Sequence, residues 1–279
     1  MRYADEMGKY IVVADSLLKN LLYMVSPLYH EEFGIEQQVT IPLFTSLHST
    51  SESILILLLN QAVFDADILL RSIMEGTIKY CYLMTGTNDE RNKKYIEYKV
   101  SLSEIDALAD HFKAINTIEA LKKHSHNSLK PFECFILDEH ELERLQKAYP
   151  KTKRNEIKRR WTYQSLLREL AEKQPEYEAQ IGTLSTYSLE SHFGHYDWTG
   201  VSSRQAQMYA AGHGEDETYD VIHALRIISN ILSMALFRVM EYLRCYNYHI
   251  TGLTELSLQI LDFIHDIDNI QNSLLEIMA

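Results

Sequence analysis

The sequence predicts an all-α fold, a multi-helix bundle, and three features lead to this class. Only 10 glycines and 5 prolines interrupt 279 residues, which is too few for the turns of a many-stranded β fold. Long stretches are rich in leucine, isoleucine, glutamate and lysine, residues that favour helix. The last helix repeats apolar residues at alternating intervals of three and four, which is a heptad pattern.

The first part of the chain is predicted to form four helices. Pro27 stops the first and Gly86 closes the third, because proline and glycine disfavour helix continuation. Asn88 can cap the fourth helix, and the two acidic residues after it suit the positive helix end. The predicted spans are 3–26, 40–61, 63–85 and 88–113.

Residues 114–160 are less periodic, so they are predicted to be a helical insertion within one domain, 1–279. Helices resume at Trp161, and a loop containing Gly200, Gly212 and Gly214 separates two pairs of them. The predicted spans of these four helices are 161–173, 176–196, 216–247 and 252–278.

The C-terminal helix, 252–278, carries the clearest periodicity. Its apolar positions are Leu253, Leu256, Ile260, Phe263, Ile267, Ile270, Leu274 and Ile277. Such a seam packs either inside the protein's own bundle or against a second copy. The sequence therefore leaves a homodimer through the C-terminal helix as an alternative to internal packing.

Charge and composition exclude several classes of protein. The net charge of −12 provides no overall basic field for nucleic acid or an anionic membrane. The three cysteines are far apart, which suits a reducing compartment. The most apolar run, 54–59, is much shorter than the ~20 residues that span a membrane, and the N-terminus has no signal peptide features. We expect a cytoplasmic protein without a membrane segment.

Two polar ladders stand out on otherwise apolar helices. Asp67, Arg71 and Glu75 recur every fourth residue in the third helix, and Tyr187, Ser191 and His195 do so in the stretch TYSLESHFGHYDWTG. Residues four apart lie on one side of a helix. Because a buried charge needs a partner, we expect the two ladders to meet, with Arg71 held by Asp67 and Glu75.

These residues also carry a family resemblance. The R-x3-E of Arg71 and Glu75, followed by the Y-x3-S-x3-H of Tyr187, Ser191 and His195, resembles a family of bacterial helical proteins known only as a domain of unknown function. The resemblance covers residues 40–250. It implies a helical fold and a polar site, and it implies no particular reaction.

The ladders allow two interpretations. They can form a buried polar network that fixes the register of the bundle, or they can form a catalytic site. In a catalytic site His195 would transfer protons, since an imidazole beside a carboxylate titrates near neutral pH. Arg71 would bind a phosphate or carboxylate, and Asp67, Glu75, Tyr187 and Ser191 would orient the two.

Metal binding is a weaker alternative. His192 and His195 are three residues apart, and carboxylates of another helix could complete a site. However, the paired Glu-x-x-His repeats of di-metal bundles are absent. We therefore expect no metal and no cofactor.

Two features raise the question of RNA. A basic stretch, 147–160, carries seven basic residues against one acidic, and its RNA-binding candidates are Lys153, Arg154, Lys158, Arg159, Arg160 and Trp161. A solvated charged helix explains the same stretch. The segment from Arg244 to His249 fits the Arg-x(4–6)-His pattern of helical HEPN ribonucleases, but a chain of this composition matches that pattern by chance.

The sequence leads to two hypotheses of different classes. One is a bacterial defence- or toxin-type enzyme, a metal-independent ribonuclease-like hydrolase acting on RNA or another phosphate-bearing substrate through Arg71, Glu75 and His195. The other is a non-catalytic interaction or sensor protein whose polar ladders are structural.

Overall fold

The fold was analysed in a computed structural model of the whole chain. The structure describes residues 3–26, 34–122, 129–184, 187–188, 195, 197–212 and 217–278. These residues confirm the all-α class, and no strand occurs among them. They group into two compact units, Met1–Thr85 with Leu167–Ala279, and Gly86–Leu166.

In the described part of the first unit, six α-helices are bounded at both ends. The complete helices are α1 (Tyr3–Val25), α2 (Ile35–Leu59), α3 (Val63–Met84), α10 (Trp198–Gly212), α11 (Thr218–Tyr246) and α12 (Leu253–Met278). Helix α11 lies at the centre, where it packs against α1, α2, α3 and α12. Buried apolar side chains occur from Val221 to Leu243, so it provides the core on which the other helices assemble.

Helices α3 and α11 run parallel to each other, although about 130 residues of chain separate them. Near their N-terminal ends Asp67 pairs with Arg226, and further along Thr77 accepts a hydrogen bond of 2.7 Å from Arg238. The order of the two contacts is the same on both helices, which fixes the parallel direction. Arg238 is almost fully buried, and its guanidinium also lies over the ring of Phe44.

Helix α2 packs against α3 as an antiparallel neighbour. The rings of Phe44 and Tyr80 meet edge to face with centroids 5.7 Å apart. Gly76 of α3 permits this approach, because a Cβ at that position would overlap the Leu47 side chain. Helix α2 begins at Ile35, five residues before its predicted start, and it contains Pro42.

Helix α12 uses its heptad seam inside its own unit. Five seam positions are buried against α11 and α1, namely Leu253, Leu256, Ile260, Ile267 and Leu274. Phe263 and Ile270 are half-buried, and the side chain of Ile277 lies outside the described part. A homodimer through this helix stays a prediction, and it would use other side chains, such as the exposed Leu258 and Leu261.

Two predicted spans were wrong. The segment predicted as a glycine-containing loop forms α10, Trp198–Gly212, in which Gly200 is buried. The predicted helix 176–196 begins instead with two 3-10 turns, Pro175–Tyr177 and Ala179–Gly182, and its described residues beyond 182 are helical. Glycine lowers helix propensity by only about 1 kcal/mol, so packing overrides it in α10.

The second unit, Gly86–Leu166, encloses the predicted insertion 114–160 and the predicted helix before it. Its helices are α4 (Asn88–Ile96), α5 (Leu102–Leu121), α6 (Lys130–Glu133), α7 (Glu139–Ala148) and α8 (Lys151–Arg160). Helix α9 (Tyr163–Lys173) begins in this unit, and its residues from Leu167 onward belong to the first unit. A π-helical turn, Glu97–Ser101, joins α4 to α5. A capping box of Thr87 and Glu90 starts α4, so the cap is Thr87, one residue before the predicted Asn88.

Helices α2 and α11 are long and apolar enough to cross a membrane by length and composition, a test that core helices of soluble proteins also pass. Helix α11 carries Arg226, Arg238 and Glu241, all of which have polar partners within the first unit. The cytoplasmic location and the absence of a membrane segment stay predictions.

The packing of α12 gives a first testable prediction. Ile260→Ala should lower the free energy of unfolding by about 2–5 kcal/mol, because it opens a cavity at a fully buried position. Urea denaturation followed by circular dichroism measures the change. Leu261→Ala, at the neighbouring half-exposed position, is the matched control and should change stability by less than about 0.5 kcal/mol. Equal effects of the two substitutions would contradict the assigned seam.

Candidate functional site

The candidate site is built along α3, whose buried side faces the core and whose other side is half-open. Leu70, Ile73 and Met74 are fully buried. The side chains on the half-open side are Phe64, Ile68, Arg71, Glu75 and Lys79, all partly exposed. Because their spacing is three or four residues, they form one stripe, which we call the α3 stripe.

Arg71 and Glu75 are joined by Tyr187. The Arg71 Nη2 atom donates to the Tyr187 hydroxyl at 3.2 Å, and that hydroxyl donates to Glu75 Oε2 at 3.1 Å. The Arg71 guanidinium also lies over the Tyr187 ring, 4.6 Å from its centroid, in a cation–π arrangement. The expected meeting of the two ladders therefore occurs at Tyr187.

Lys79 adds a second cation to this group. Its Nζ lies 2.6 Å from Glu75 Oε1, one helical turn further along α3. Burial raises the pKa of Glu75, but the hydrogen bond and charge of Lys79, the Tyr187 hydroxyl and the Arg71 charge together outweigh it. The pKa of Glu75 therefore lies below its ordinary value, and the carboxylate is ionised at neutral pH. Arg71 and Lys79 thus place two cationic side chains beside the Glu75 carboxylate.

Asp67 differs from its predicted role. It does not hold Arg71. Its side chain is fully buried and pairs with two residues of α11: Arg226 Nη2 lies 2.8 Å from Oδ1, and His223 Nε2 lies 2.5 Å from Oδ2. The reason is geometric, because Asp67 lies on a different side of α3 from the α3 stripe, and that side faces α11. Arg226 and His223 keep 31% and 18% of their side-chain surface exposed.

The N-terminal end of the α3 stripe is lined by a third arginine. Arg204 of α10 lies over the Phe64 ring, 5.3 Å from its centroid, and contacts Asp65 at 3.3 Å. The His223 ring meets the same Phe64 ring edge to face, with centroids 6.0 Å apart. Helices α3, α10 and α11 thus meet around Phe64.

The remaining ladder residues are placed as follows. His195 is exposed, and none of the residues that the structure describes forms a hydrogen bond or ion pair with it. Ser191 and His192 lie outside the described residues. Of the second ladder, Tyr187 alone is therefore seen in contact with α3.

The basic stretch belongs to the second unit, where several of its members have acidic or structural partners. Arg160 pairs with Glu97, and Trp161, which is buried, donates from Nε1 to the same carboxylate at 2.6 Å. Lys158 pairs with Asp106. Lys153 donates to a backbone carbonyl, while Arg154 is half-buried and Arg159 exposed. Among the described residues, Arg154 and Arg159 form no ion pair, unlike Lys158 and Arg160.

Two other sequence features are also located. Arg244, the arginine of the HEPN-like pattern, pairs with Glu176 at 2.5 Å and with Glu241 at 3.0 Å, while His249 is exposed. Across the described ranges, no three histidine, cysteine or acidic side chains come together as a metal site.

Comparison with known proteins places the chain in a family. The sequence profile described as "Family of unknown function (DUF5677)" matches residues 37–207, more than half of the chain. The chain belongs to this family. No curated protein and no solved structure matches it. The DUF5677 match covers Arg71, Glu75, Tyr187 and His195, and it ends before α11.

Sequence reasoning missed the residues of the site that lie outside the two ladders. Lys79 continues the spacing of Asp67, Arg71 and Glu75 by one more step, so the ladder could have been extended to it. His223 and Arg226 are three residues apart on a mainly apolar helix, which is a signal similar to the one that singled out α3. No signal in the sequence pairs Arg204 with Asp65.

The Glu75 interactions predict a pH dependence of stability. Because the folded pKa of Glu75 is lowered, its contribution is fully present above the unfolded value of about 4.5 and is lost as the pH falls through the folded pKa. The free energy of unfolding of wild type minus that of Glu75→Gln should therefore be larger at pH 7 than at pH 3. Urea denaturation at both pH values measures it. A difference that does not change with pH would contradict the ion pairing of Glu75.

Proposed function

We propose that the α3 stripe is the anion-binding part of an active site and that the protein hydrolyses a phosphate-bearing substrate. The observation that supports this most directly is the Arg71–Tyr187–Glu75–Lys79 group, in which two cationic side chains and one carboxylate lie together on the half-open side of α3. A planar guanidinium held by an aromatic ring and a hydroxyl is well suited to bind two phosphate oxygens at once.

The roles follow from the contacts. Arg71 binds the phosphate, and Lys79 adds positive charge about two turns away. Glu75 and Tyr187 hold Arg71 in place, because the Tyr187 hydroxyl accepts from the arginine and donates to the carboxylate. Proton transfer is the role that the sequence gives to His195, whose exposure agrees with access to a substrate.

RNA is the phosphate-bearing substrate that we propose to test first, and a bacterial defence or toxin activity is the cellular role that goes with it. Arg154 and Arg159 of α8, which form no ion pair among the described residues, support RNA binding more than the paired Arg160 and Trp161 do. Because phosphate contacts dominate such binding, it should weaken steeply with salt.

A non-catalytic interaction or sensor role is the second candidate. It is supported by Asp67, which is fully buried and whose two partners come from the protein itself. A network that satisfies its own charges specifies helix register without any ligand. In that case substitutions in the α3 stripe should lower stability and change no binding or activity.

Phosphate binding by Arg71 gives the decisive test. Arg71→Ala should weaken binding of inorganic phosphate about ten- to a hundredfold, because a charge-assisted hydrogen bond contributes about 1.5–3 kcal/mol. Isothermal titration calorimetry at low salt measures the affinity, and circular dichroism checks that the variant is folded.

Arg168→Ala is the matched control for this test. Arg168 is an exposed arginine of α9 in the same unit, and its removal changes the net charge equally. Its affinity for phosphate should stay within about twofold of wild type. If both variants bind like wild type, or if wild type binds no phosphate, the catalytic proposal fails and the structural role stands.

A further inference from the structure

We propose that a groove between α5 and α8, in the second unit, binds a single strand of RNA through its backbone phosphates. The residues that line this α5–α8 groove are Ile105, Ala109, Lys151, Arg154, Asn155 and Lys158. The inference rests on the proposed function for its choice of RNA, and it names a binding site that shares no residue with the α3 stripe.

The α8 side of the groove consists of hydrogen-bond donors. Lys151, Arg154 and Lys158 are spaced three and four residues apart, so they lie on one side of the helix. Asn155 lies on the same side, and its amide group adds two N–H donors. Because phosphate oxygens accept hydrogen bonds and carry negative charge, this set of side chains suits a phosphate ligand.

Two of the three cations in the groove have no acidic partner. Lys158 lies 2.9 Å from Asp106. Among the described residues, by contrast, the side chains of Lys151 and Arg154 form neither an ion pair nor a hydrogen bond. Arg154 is also half-buried, so solvent screens its charge less than it screens a charge on the open surface. The groove therefore keeps positive charge that is available to a ligand.

The dimensions of the groove indicate an extended ligand. Its volume is about 250 Å³, below the range of about 300–1,000 Å³ that is usual for sites enclosing a whole small molecule. Lys151 and Lys158 are seven residues apart, which corresponds to about 10 Å along α8. The cations thus extend over more than one phosphate group. A nucleic acid strand, which carries a phosphate on every nucleotide, fits both conditions.

The α5 side of the groove favours RNA over an acidic peptide. Ile105 and Ala109 are four residues apart, and Phe112 continues the same side of α5 one turn further on. The Phe112 side chain is 40% exposed. Single-stranded nucleic acids bind where a row of cations is combined with an exposed aromatic ring, because the bases stack on the ring. An acidic peptide would use the cations alone.

The groove separates two arginines of α8 that are otherwise alike. Neither Arg154 nor Arg159 forms an ion pair among the described residues, yet only Arg154 lines the groove. Arg159 is exposed and lies five residues further along, about 140° round the helix. Substituting each arginine alone therefore distinguishes binding in the groove from a general attraction to the basic helix.

The experiment measures binding of a fluorescein-labelled single-stranded RNA oligonucleotide to the full-length protein by fluorescence anisotropy, at several salt concentrations. Arg154→Ala should weaken binding about tenfold or more. The slope of log Kd against log salt concentration should fall by about 0.7, the value for one phosphate contact of a single strand. Arg159→Ala removes the same charge, and it should keep both the slope and, within about twofold, the affinity of wild type.

Asn155→Asp provides a second variant in case Arg154→Ala does not fold. Asn155 is exposed, so the substitution leaves the core unchanged, and circular dichroism checks this. The new carboxylate repels the phosphates in the groove and should weaken RNA binding about tenfold or more. Wild-type affinity in a folded Asn155→Asp variant would contradict the groove.

Phe112→Leu and a competitor test the assignment to RNA. Phe112→Leu should weaken binding of RNA at least about fivefold, because stacking of a base on the ring is lost, and it should not change binding of inorganic polyphosphate. Poly-L-glutamate should compete poorly with RNA. If Phe112→Leu binds RNA like wild type, or if poly-L-glutamate competes as well as unlabelled RNA, the assignment to RNA is overturned.

The remaining outcomes separate the groove from the proposed function. Weaker RNA binding by Arg154→Ala, with Arg159→Ala unchanged, supports the groove. This holds even if the wild type hydrolyses no RNA, in which case hydrolysis at the α3 stripe fails alone. If the two arginine variants bind equally, or if the wild type binds no RNA, the groove is overturned. Hydrolysis of bis(p-nitrophenyl) phosphate that is lost in Arg71→Ala would then leave the proposed function standing.

Discussion

The Asp67 carboxylate is the group on which the arrangement of the first unit depends. A fully buried charge would be prohibitive without compensation, and the compensating groups, His223 and Arg226, both lie on α11. The pairing fixes where α11 lies along α3, and the Arg238–Thr77 hydrogen bond fixes the same alignment about three turns further on. Since α11 is the helix on which α1, α2 and α12 also pack, this alignment extends to the rest of the unit.

The half-open side of α3 follows from the same alignment. Asp67 is directed towards α11. The side of α3 away from the core therefore carries Phe64, Arg71 and Lys79, which are spaced seven and eight residues apart. The polar groups there are held by partners on separate segments, Tyr187 and α10. The surface that results is polar and partly exposed, yet the position of its side chains is determined by a buried charge.

The sequence predicted the features that depend on local spacing. Arg71, Glu75 and Tyr187 were found because charged residues four apart on an apolar helix need a partner. The partners of Asp67 were missed. Asp67 and Arg71 point in different directions from the axis of α3, and only the packing shows that the direction of Asp67 leads to α11. Helix α10 was missed because Gly200 and Gly212 suggested a loop, whereas tertiary packing outweighs an intrinsic preference of about 1 kcal/mol. Packing of α12 inside its own unit was one of the two alternatives that the heptad pattern allowed.

The separation of 159 residues between Asp67 and Arg226 has a consequence for synthesis of the chain. Contacts between distant parts of a chain form late and slowly, because the entropy of closing the intervening loop must be overcome first. On the ribosome, α2 and α3 are complete long before α11 emerges. During that interval the Asp67 carboxylate has neither of its partners on α11, so the helix that carries the site cannot take its final buried position. The stripe with Arg71 is therefore assembled only after nearly the whole chain has been made.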